Sequence, residues 1–253
     1  MSQIMAHRGA RNLWAENSIL GFRETALLGF GGIEFDLHLT DAGELVVIHD
    51  ATLDRTTDAQ GLVRHLTPTS RKALRLKGPD GALIDEGVPS FDEVLDVLAP
   101  GSSDLYVELK GDETGFTDPR MVAQAAAILR RRGLEHRAVL HAFDVEVVRL
   151  VRELAPEFRR LVSVNREWAE KRGGLEPFLQ EVVDLVDVIG IHHELFEAEF
   201  DLVRRLGLLG RCSAWTINDP ELMRRWIGRA PGYLVSDDPV LLRRLAQEEG
   251  VAA

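Results

Sequence analysis

The sequence predicts a (β/α)8 barrel, an α/β fold in which eight parallel strands alternate with helices. Short apolar runs alternate with longer amphipathic segments along the chain, and the length of 253 residues suits eight such units in one domain. Near-continuous apolar strands also imply a parallel sheet that helices cover on both faces. A doubly wound open sheet is the second choice, but no Gly-rich dinucleotide fingerprint follows the first predicted strand.

The predicted barrel strands are short, and nearly every residue in them is apolar. Each is followed by a segment with the composition of a helix, apart from one interruption after the second strand. The predicted strands are residues 4–7, 32–37, 105–109, 138–142, 161–164, 186–191, 212–216 and 233–235.

The segments between these strands carry helix start and stop signals. Ser90 followed three residues later by Glu93 forms the pattern of a capping box. Asp followed by Pro, which predicts an N-cap and a first helical residue, occurs three times. These pairs are Asp118-Pro119, Asp219-Pro220 and Asp238-Pro239.

The interruption lies between the second and third units. A turn over residues 41–43 leads into an additional strand predicted over residues 45–49. A polar stretch follows, and we interpret residues 50–89 as an insertion on the loop face of the barrel. Because this insertion is too small for an independent core, residues 1–253 are predicted to form a single barrel domain.

The composition excludes several classes of partner. The formal net charge is 30 − 41 = −11, which disfavours binding to nucleic acid or to an anionic membrane surface. Cys212 is the only cysteine, so an intramolecular disulfide framework is excluded. We find no signal peptide and no apolar stretch long enough to span a membrane. We therefore expect a cytoplasmic, soluble protein, and the oligomeric state stays open.

Ionisable residues cluster where the predicted strands end, which is where active sites form in barrels of this type. His7 and Arg8 end the first strand. Glu34 and Asp36 lie two apart on the second strand and therefore share one face. His49 ends the additional strand. The remaining polar and aromatic residues at strand ends are Glu108, Lys110, His141, His192, His193 and Trp215.

Each of these residues also has an ordinary structural interpretation. A lone His at a strand end is more often structural than catalytic, and the carboxylates of Glu34 and Asp36 could lie on a solvated face. Glu108 and Lys110 could form a simple ion pair. Several clusters at the strand ends of one barrel are harder to explain in this way, because each is costly to bury alone.

The combination points to cleavage of a phosphoester. Three carboxylates make an all-oxygen site suited to Mg²⁺ or Ca²⁺. Arg8 and Lys110 supply the positive charge that a phosphate needs. Imidazole is the side chain that ordinarily changes charge near neutrality, so His7 and His49 suffice for one general acid and one general base.

These motifs resemble those of the glycerophosphodiester phosphodiesterases. The resemblance rests on "AHRGARN", "AENS", "IEFDLH" and "IHDATLDRTT" near the start, and on "VPSFDEVL", "VELK", "WTIND" and "LVSDDP" later. It spans essentially the whole chain. It implies a (β/α)8 barrel with a small insertion after the second strand, in agreement with the strand pattern.

The resemblance also implies an activity. Such enzymes hydrolyse glycerophosphodiesters with the help of a divalent metal, yielding glycerol 3-phosphate and an alcohol, and a cyclic phosphate is the usual intermediate. The implied roles are general acid–base catalysis for His7 and His49, binding of Mg²⁺ or Ca²⁺ for Glu34, Asp36 and Glu108, and substrate contact for Arg8, Lys110 and Trp215.

Two departures from the family pattern leave the substrate open. His141 stands where the family often has Ser, and His192-His193 adds two further imidazoles near the mouth. The partner we expect is a small-molecule phosphodiester. The alternatives are a related enzyme acting on lysophospholipids or sugar phosphodiesters, and a protein that binds a phosphodiester without cleaving it.

Overall fold

The computed structural model describes residues 2–250 and confirms the predicted fold class. Within that range eight parallel strands close into a barrel, and helices lie between them. The parallel strands are β1 (Gln3–Ala6), β2 (Gly32–Leu39), β4 (Asp104–Leu109), β5 (Ala138–Ala142), β6 (Arg159–Val164), β7 (Val188–His192), β8 (Cys212–Trp215) and β9 (Tyr233–Ser236).

The first strand closes the barrel. On one side β1 pairs with β2, with Ala6 opposite Ile33. On the other side β1 pairs with the last strand, and Ala6 lies opposite Ser236. The additional strand β3 (Leu45–Val47) pairs antiparallel with the end of β2. The site end of the first strand is therefore bordered by both the second strand and the last.

The two strands predicted to end in the catalytic histidines end earlier than predicted. His7 was predicted to end the first strand, but β1 stops at Ala6. Arg8, Gly9 and Ala10 have positive φ angles of 50°, 70° and 64°, so the chain turns sharply and the Ala10 N–H donates to the carbonyl of His7. The additional strand likewise ends at Val47, two residues before the predicted end at His49.

The helices begin largely where their capping signals predict. The Ser90 hydroxyl accepts from the N–H of Glu93, whose carboxylate accepts from the N–H of Ser90. The helices are α1 (Ile19–Leu28), α2 (Pro68–Ala73), α3 (Phe91–Leu98), α4 (Pro119–Arg131), α5 (Val145–Leu154), α6 (Arg166–Glu170), α7 (Leu175–Val182), α8 (His193–Ala198), α9 (Phe200–Arg205), α10 (Pro220–Arg229) and α11 (Pro239–Glu248).

The apolar side chains form two layers around the strands. The larger one lies between the barrel and its helices. A smaller cluster fills the inside of the barrel and forms the floor beneath the polar side chains at the carboxyl ends of the strands. Its buried members are Met5, Tyr106, Val139, Leu161, Val188 and Val235.

The segment between β3 and α3 forms a small apolar cluster of its own. Ile48, Leu53, Val63, Leu66, Leu76 and Val88 are buried there, together with two residues from outside the segment: Ala15 and Val46. None of the helices described for residues 2–250 is long and apolar enough to cross a membrane.

Candidate active site

A cavity of about 160 Å³ opens at the carboxyl ends of the barrel strands. All but one of the eight predicted site residues line it, and Asp36 is the exception. The lining residues are Met5, His7, Arg8, Glu34, His49, Tyr106, Glu108, Lys110, His141, Phe143, Leu161, Ser163, Ser213, Trp215 and Val235.

Strand register aligns three ionisable side chains on the inner face of the barrel. Asp36 on β2 lies opposite Glu108 on β4, and Glu108 lies opposite His141 on β5. Residues opposite one another on adjacent parallel strands point to the same face. Glu34, two positions before Asp36, points the same way. One row of residues therefore gathers carboxylates and an imidazole at the base of the cavity.

Glu34, Glu108 and His141 form a compact group. Each offers one potential ligand atom, and these atoms all lie within 4.8 Å of one another. All three side chains are buried. Glu34 Oε1 and His141 Nδ1 are buried atoms without a hydrogen-bond partner among residues 2–250. Because a buried polar atom without a partner is costly, these residues fit a bound cation well.

Asp36 does not line the cavity and is fully buried. Its Oδ2 accepts a hydrogen bond from Asn17 Nδ2 at 2.9 Å and lies 3.4 Å from Arg8 Nε. Its Oδ1 lies 3.7 Å from Lys110 Nζ and has no hydrogen bond within the described chain. One oxygen of Asp36 therefore stays available to a further ligand.

The three carboxyl groups differ in their tendency to ionise. Burial, together with the nearby charges of Asp36 and Glu108, raises the pKa of Glu34 well above its ordinary value. Burial also opposes ionisation of Asp36, but Arg8, His49 and Lys110 outweigh it and lower the pKa of Asp36. In the same way Lys110 and His141 outweigh burial and lower the pKa of Glu108.

His7 is held by a buried carboxylate. Its Nδ1 lies 2.5 Å from Oδ1 of Asp237, just beyond β9. Asn218 Nδ2 donates to the other oxygen of Asp237 at 2.7 Å, and Arg11 Nε lies 2.8 Å from the same oxygen. Burial and the charge of Arg8 lower the pKa of His7, although Asp237 acts in the opposite direction.

The second predicted catalytic histidine has a similar arrangement. His49 Nδ1 lies 2.7 Å from Asp50 Oδ1, and Arg55 donates to both oxygens of Asp50 and both oxygens of Glu16. The hydrogen bonds from His49 and Arg55 outweigh burial and lower the pKa of Asp50. Both imidazoles therefore face the cavity with Nδ1 turned to a carboxylate.

The two predicted phosphate-binding cations lie beside carboxylates. Lys110 Nζ is 2.8 Å from Glu108 Oε1, and Arg8 Nη1 is 3.2 Å from Glu16 Oε1. Attraction to Glu108 and Asp36 outweighs burial and raises the pKa of Lys110. Both cations remain charged at neutral pH and both line the cavity.

Aromatic rings form the wall opposite the carboxylates. Trp215 meets Phe143 edge-on at a centroid distance of 5.4 Å and His192 at 5.0 Å. His193 packs against His192 at 4.6 Å and does not line the cavity. The Trp215 Nε1–H has no partner within residues 2–250.

The sequence pointed to several neighbours of these residues without assigning them to the site. Asp237 lies in the quoted "SDDP", and Asn218 in the quoted "WTIND". Glu16, Asn17 and Arg55 also lie within quoted motifs. The position of Asp237 at the end of the last predicted strand is the signal that could have found it, by the same rule that found His7.

Sequence comparison identifies the family. The Glycerophosphoryl diester phosphodiesterase family matches residues 7–241. The chain belongs to this family. A glycerophosphodiester phosphodiesterase of Caldanaerobacter subterraneus is 28% identical over 249 residues, which cover 98% of each protein. These matches confirm the resemblance inferred from the motifs and the prediction of a phosphoric diester hydrolase.

Solved structures of the family share the whole fold. A putative glycerophosphoryl diester phosphodiesterase of Silicibacter pomeroyi is 27% identical, with a TM-score of 0.89, and the alignment covers 100% of this chain and 95% of that one. A corresponding protein of Agrobacterium tumefaciens superposes with a TM-score of 0.88 at 23% identity over 99% of both chains. The second match supports the fold alone.

Proposed function

We propose that this family member hydrolyses glycerophosphodiesters to glycerol 3-phosphate and an alcohol, with a divalent cation and two histidines. One observation carries the proposal. His7 and His49 line the same cavity, and each has its Nδ1 on a carboxylate. A protein that only bound the diester would need no such pair. The family membership supports the same reaction.

Glu34, Asp36 and Glu108 would hold the cation. On oxygen ligands alone the choice is Mg²⁺ or Ca²⁺. When bound, the cation supplies positive charge that polarises a phosphoryl oxygen and stabilises negative charge in the transition state. The raised pKa of Glu34 supports this role, because the like charges that raise it would be neutralised by a cation.

His7 would act as the general base. Burial lowers its pKa, which keeps the imidazole neutral near pH 7 and able to accept a proton. Since Asp237 occupies Nδ1, the free Nε2 is the accepting atom. It takes the proton of the glycerol hydroxyl that attacks the phosphorus and closes a cyclic phosphate.

His49 would act as the general acid. Its Nδ1 is held by Asp50, so Nε2 is the atom that donates a proton to the oxygen of the leaving alcohol. The roles reverse when water opens the cyclic phosphate. Arg8 and Lys110 would bind the phosphate oxygens, and Trp215 would pack against the carbon skeleton of the glycerol.

The proposal is tested with glycerophosphocholine as substrate. We expect the purified protein to release glycerol 3-phosphate, and we expect EDTA to stop the release and added Mg²⁺ or Ca²⁺ to restore it. Full activity after exhaustive chelation would contradict the metal role. Absence of glycerol 3-phosphate from a panel of glycerophosphodiesters, with metal present, would contradict the activity itself.

A further inference from the structure

We propose that His141 supplies a nitrogen ligand to the cation held by Glu34 and Glu108, and that this mixed set favours first-row transition-metal ions over Ca²⁺. The inference rests on the proposed function only in that it takes the metal-binding role of the two carboxylates from it. It adds a ligand and a metal preference that three carboxylates alone do not provide.

Strand register is the first observation. His141 and Glu108 are opposite one another on adjacent parallel strands, and His141 Nδ1 lies 3.9 Å from Glu108 Oε2. The potential ligand atoms of both residues and of Glu34 lie within 4.8 Å of one another. Two atoms that each lie roughly 2.0–2.3 Å from one ion are at most about 4.5 Å apart. The spacing within this group is close to that limit.

The second observation is the hydrogen bonding of the imidazole. Its Nε2 lies 2.6 Å from the hydroxyl oxygen of Ser163 on β6. With Nε2–H donating to Ser163, the lone pair is on Nδ1, the buried atom that has no partner in the described part of the chain. Metal-binding histidines are usually oriented by such a hydrogen bond on the other ring nitrogen.

The third observation is the packing that holds Ser163. Gly190 on β7 lies opposite it in the sheet, and a Cβ at position 190 would come within 2.8 Å of Ser163 Oγ. A side chain at this position would push the hydroxyl away from His141 Nε2. The absence of a side chain at Gly190 therefore leaves room for the Ser163 hydroxyl at the place where it contacts His141.

The ligand chemistry gives the metal preference. Imidazole nitrogen suits Zn²⁺, Fe²⁺ and Ni²⁺, whereas Ca²⁺ takes oxygen ligands. Mn²⁺ is the weakest binder of the first-row series, but it also suits the carboxylates of this group. One nitrogen beside two or three carboxylates therefore raises the affinity for transition ions and adds little for Ca²⁺. We expect the intact protein to bind Mn²⁺ more tightly than Ca²⁺.

Mn²⁺ is a suitable probe, because pulsed electron paramagnetic resonance detects hyperfine coupling from a directly bound nitrogen. We expect this coupling in the full-length protein loaded with Mn²⁺, and we expect it to disappear in His141→Gln. The matched control is His192→Gln, which removes an imidazole that touches Trp215 outside the metal group. The coupling should persist there.

Affinity gives a second readout. His141→Gln should lower the ratio of Mn²⁺ to Ca²⁺ affinity by at least about tenfold, since changes that only disturb ligand orientation already cost ten- to a hundredfold. Ser163→Ala should weaken Mn²⁺ binding and keep the nitrogen coupling. Calorimetric titration of each metal-free protein with Mn²⁺ and with Ca²⁺ measures these affinities.

The outcomes separate this inference from the proposed function. If Mn²⁺ binds and Glu34→Gln abolishes the binding, but the wild-type protein shows no nitrogen coupling, the His141 inference is wrong and the carboxylate site stands. Coupling that persists in His141→Gln has the same meaning. If no ion binds at all, both fail. The wild-type spectrum decides the question even if His141→Gln does not fold.

Discussion

His7 and Asp237 are 230 positions apart in the sequence, yet Nδ1 of the one lies 2.5 Å from Oδ1 of the other across the closure of the barrel. The carboxylate has no exposed surface and takes further contacts from Asn218 and Arg11. It is therefore fixed, and it fixes in turn which nitrogen of His7 faces the cavity.

Asp237→Asn should lower kcat more than it changes KM. An amide at this position can donate to Nδ1, which places the ring proton on Nε2, where the proposed base needs a lone pair. We expect a loss of about ten- to a hundredfold, at or below the contribution of a general base itself. Steady-state kinetics with glycerophosphocholine measures it.

Asp238→Asn is the matched control for this substitution. Asp238 is the N-cap of α11, and Asn caps a helix about as well, so kcat should stay near the wild-type value. Proton NMR adds a direct signature, because a His7 Nδ1–H that donates to a buried carboxylate should give a protected low-field resonance, and Asp237→Asn should remove it. Wild-type kcat in Asp237→Asn would show that this carboxylate does not position His7.

The same pair predicts how stability depends on pH. Burial alone would raise the pKa of Asp237, but His7 and Arg11 outweigh it and hold the value at about 2, below the ordinary 3.8. A carboxyl group whose pKa is lower in the folded state than in the unfolded state stabilises the fold at pH values above its unfolded pKa. It loses that contribution as the pH falls through its folded pKa. The full contribution, present above about pH 4, is about 2 kcal/mol and disappears towards pH 2.

Urea unfolding tests the sign. The difference in the free energy of unfolding between the wild-type protein and Asp237→Asn should be largest near pH 7. It should be smaller by about 1 kcal/mol at pH 3, where the unfolded carboxyl is largely protonated. A difference that grew on acidification would mean that Asp237 acts on stability mainly by favouring protonation of His7, and not through its own titration.

Leaving-group dependence should separate the two histidines. His7→Ala and His49→Ala should each lose at least about a hundredfold in kcat on glycerophosphocholine. A leaving group as acidic as p-nitrophenol needs little protonation, so glycerophospho-p-nitrophenol should restore much of the rate of His49→Ala. The rate of His7→Ala should stay low, because the attacking hydroxyl still needs a base. The reverse pattern would exchange the two roles.

We propose that residues 50–89 fold only as part of the barrel domain. Arg71 in this segment is buried and donates to Glu44 before it and Glu93 after it. Arg71→Met should reduce the free energy of unfolding by about 2 kcal/mol, below the 3–5 kcal/mol of a fully buried pair because the two carboxylates are partly exposed.

Lys72→Met is the control for Arg71→Met. It removes the same charge from the neighbouring position, where the side chain is exposed and lies 3.4 Å from Glu93. Its effect should be below about 1 kcal/mol. Equal effects of the two variants in denaturant unfolding, or a stable fold of the isolated segment by circular dichroism, would contradict the proposal.

Much of the fold follows from local patterns in the sequence. The capping box of Ser90 and Glu93 and the Asp-Pro pairs act within one helical turn, so the sequence alone predicts where these helices begin. The alternation on β2 likewise predicts that Glu34 and Asp36 share a face. Such features depend on residues close together in the chain.

The parts that the sequence did not predict depend on distant residues. The left-handed turn at Arg8 and Ala10 brings Gly9 so close to α1 that a Cβ on Gly9 would lie 3.2 Å from the Phe22 ring. The partnership of His7 with Asp237 requires the closed barrel. Asp36 was expected beside Glu34 in the cavity lining; its carboxylate is instead fully buried against Asn17 and Arg8.

The pairing of β1 with β9 sets the point during synthesis at which the site can first be completed. A chain still emerging from the ribosome has an open edge on β1 until residues Tyr233–Ser236 are free to pair with it. Until then His7 also lacks Asp237. On the proposed mechanism, a partly synthesised chain would lack the positioned base, and catalytic competence would arise together with closure of the fold.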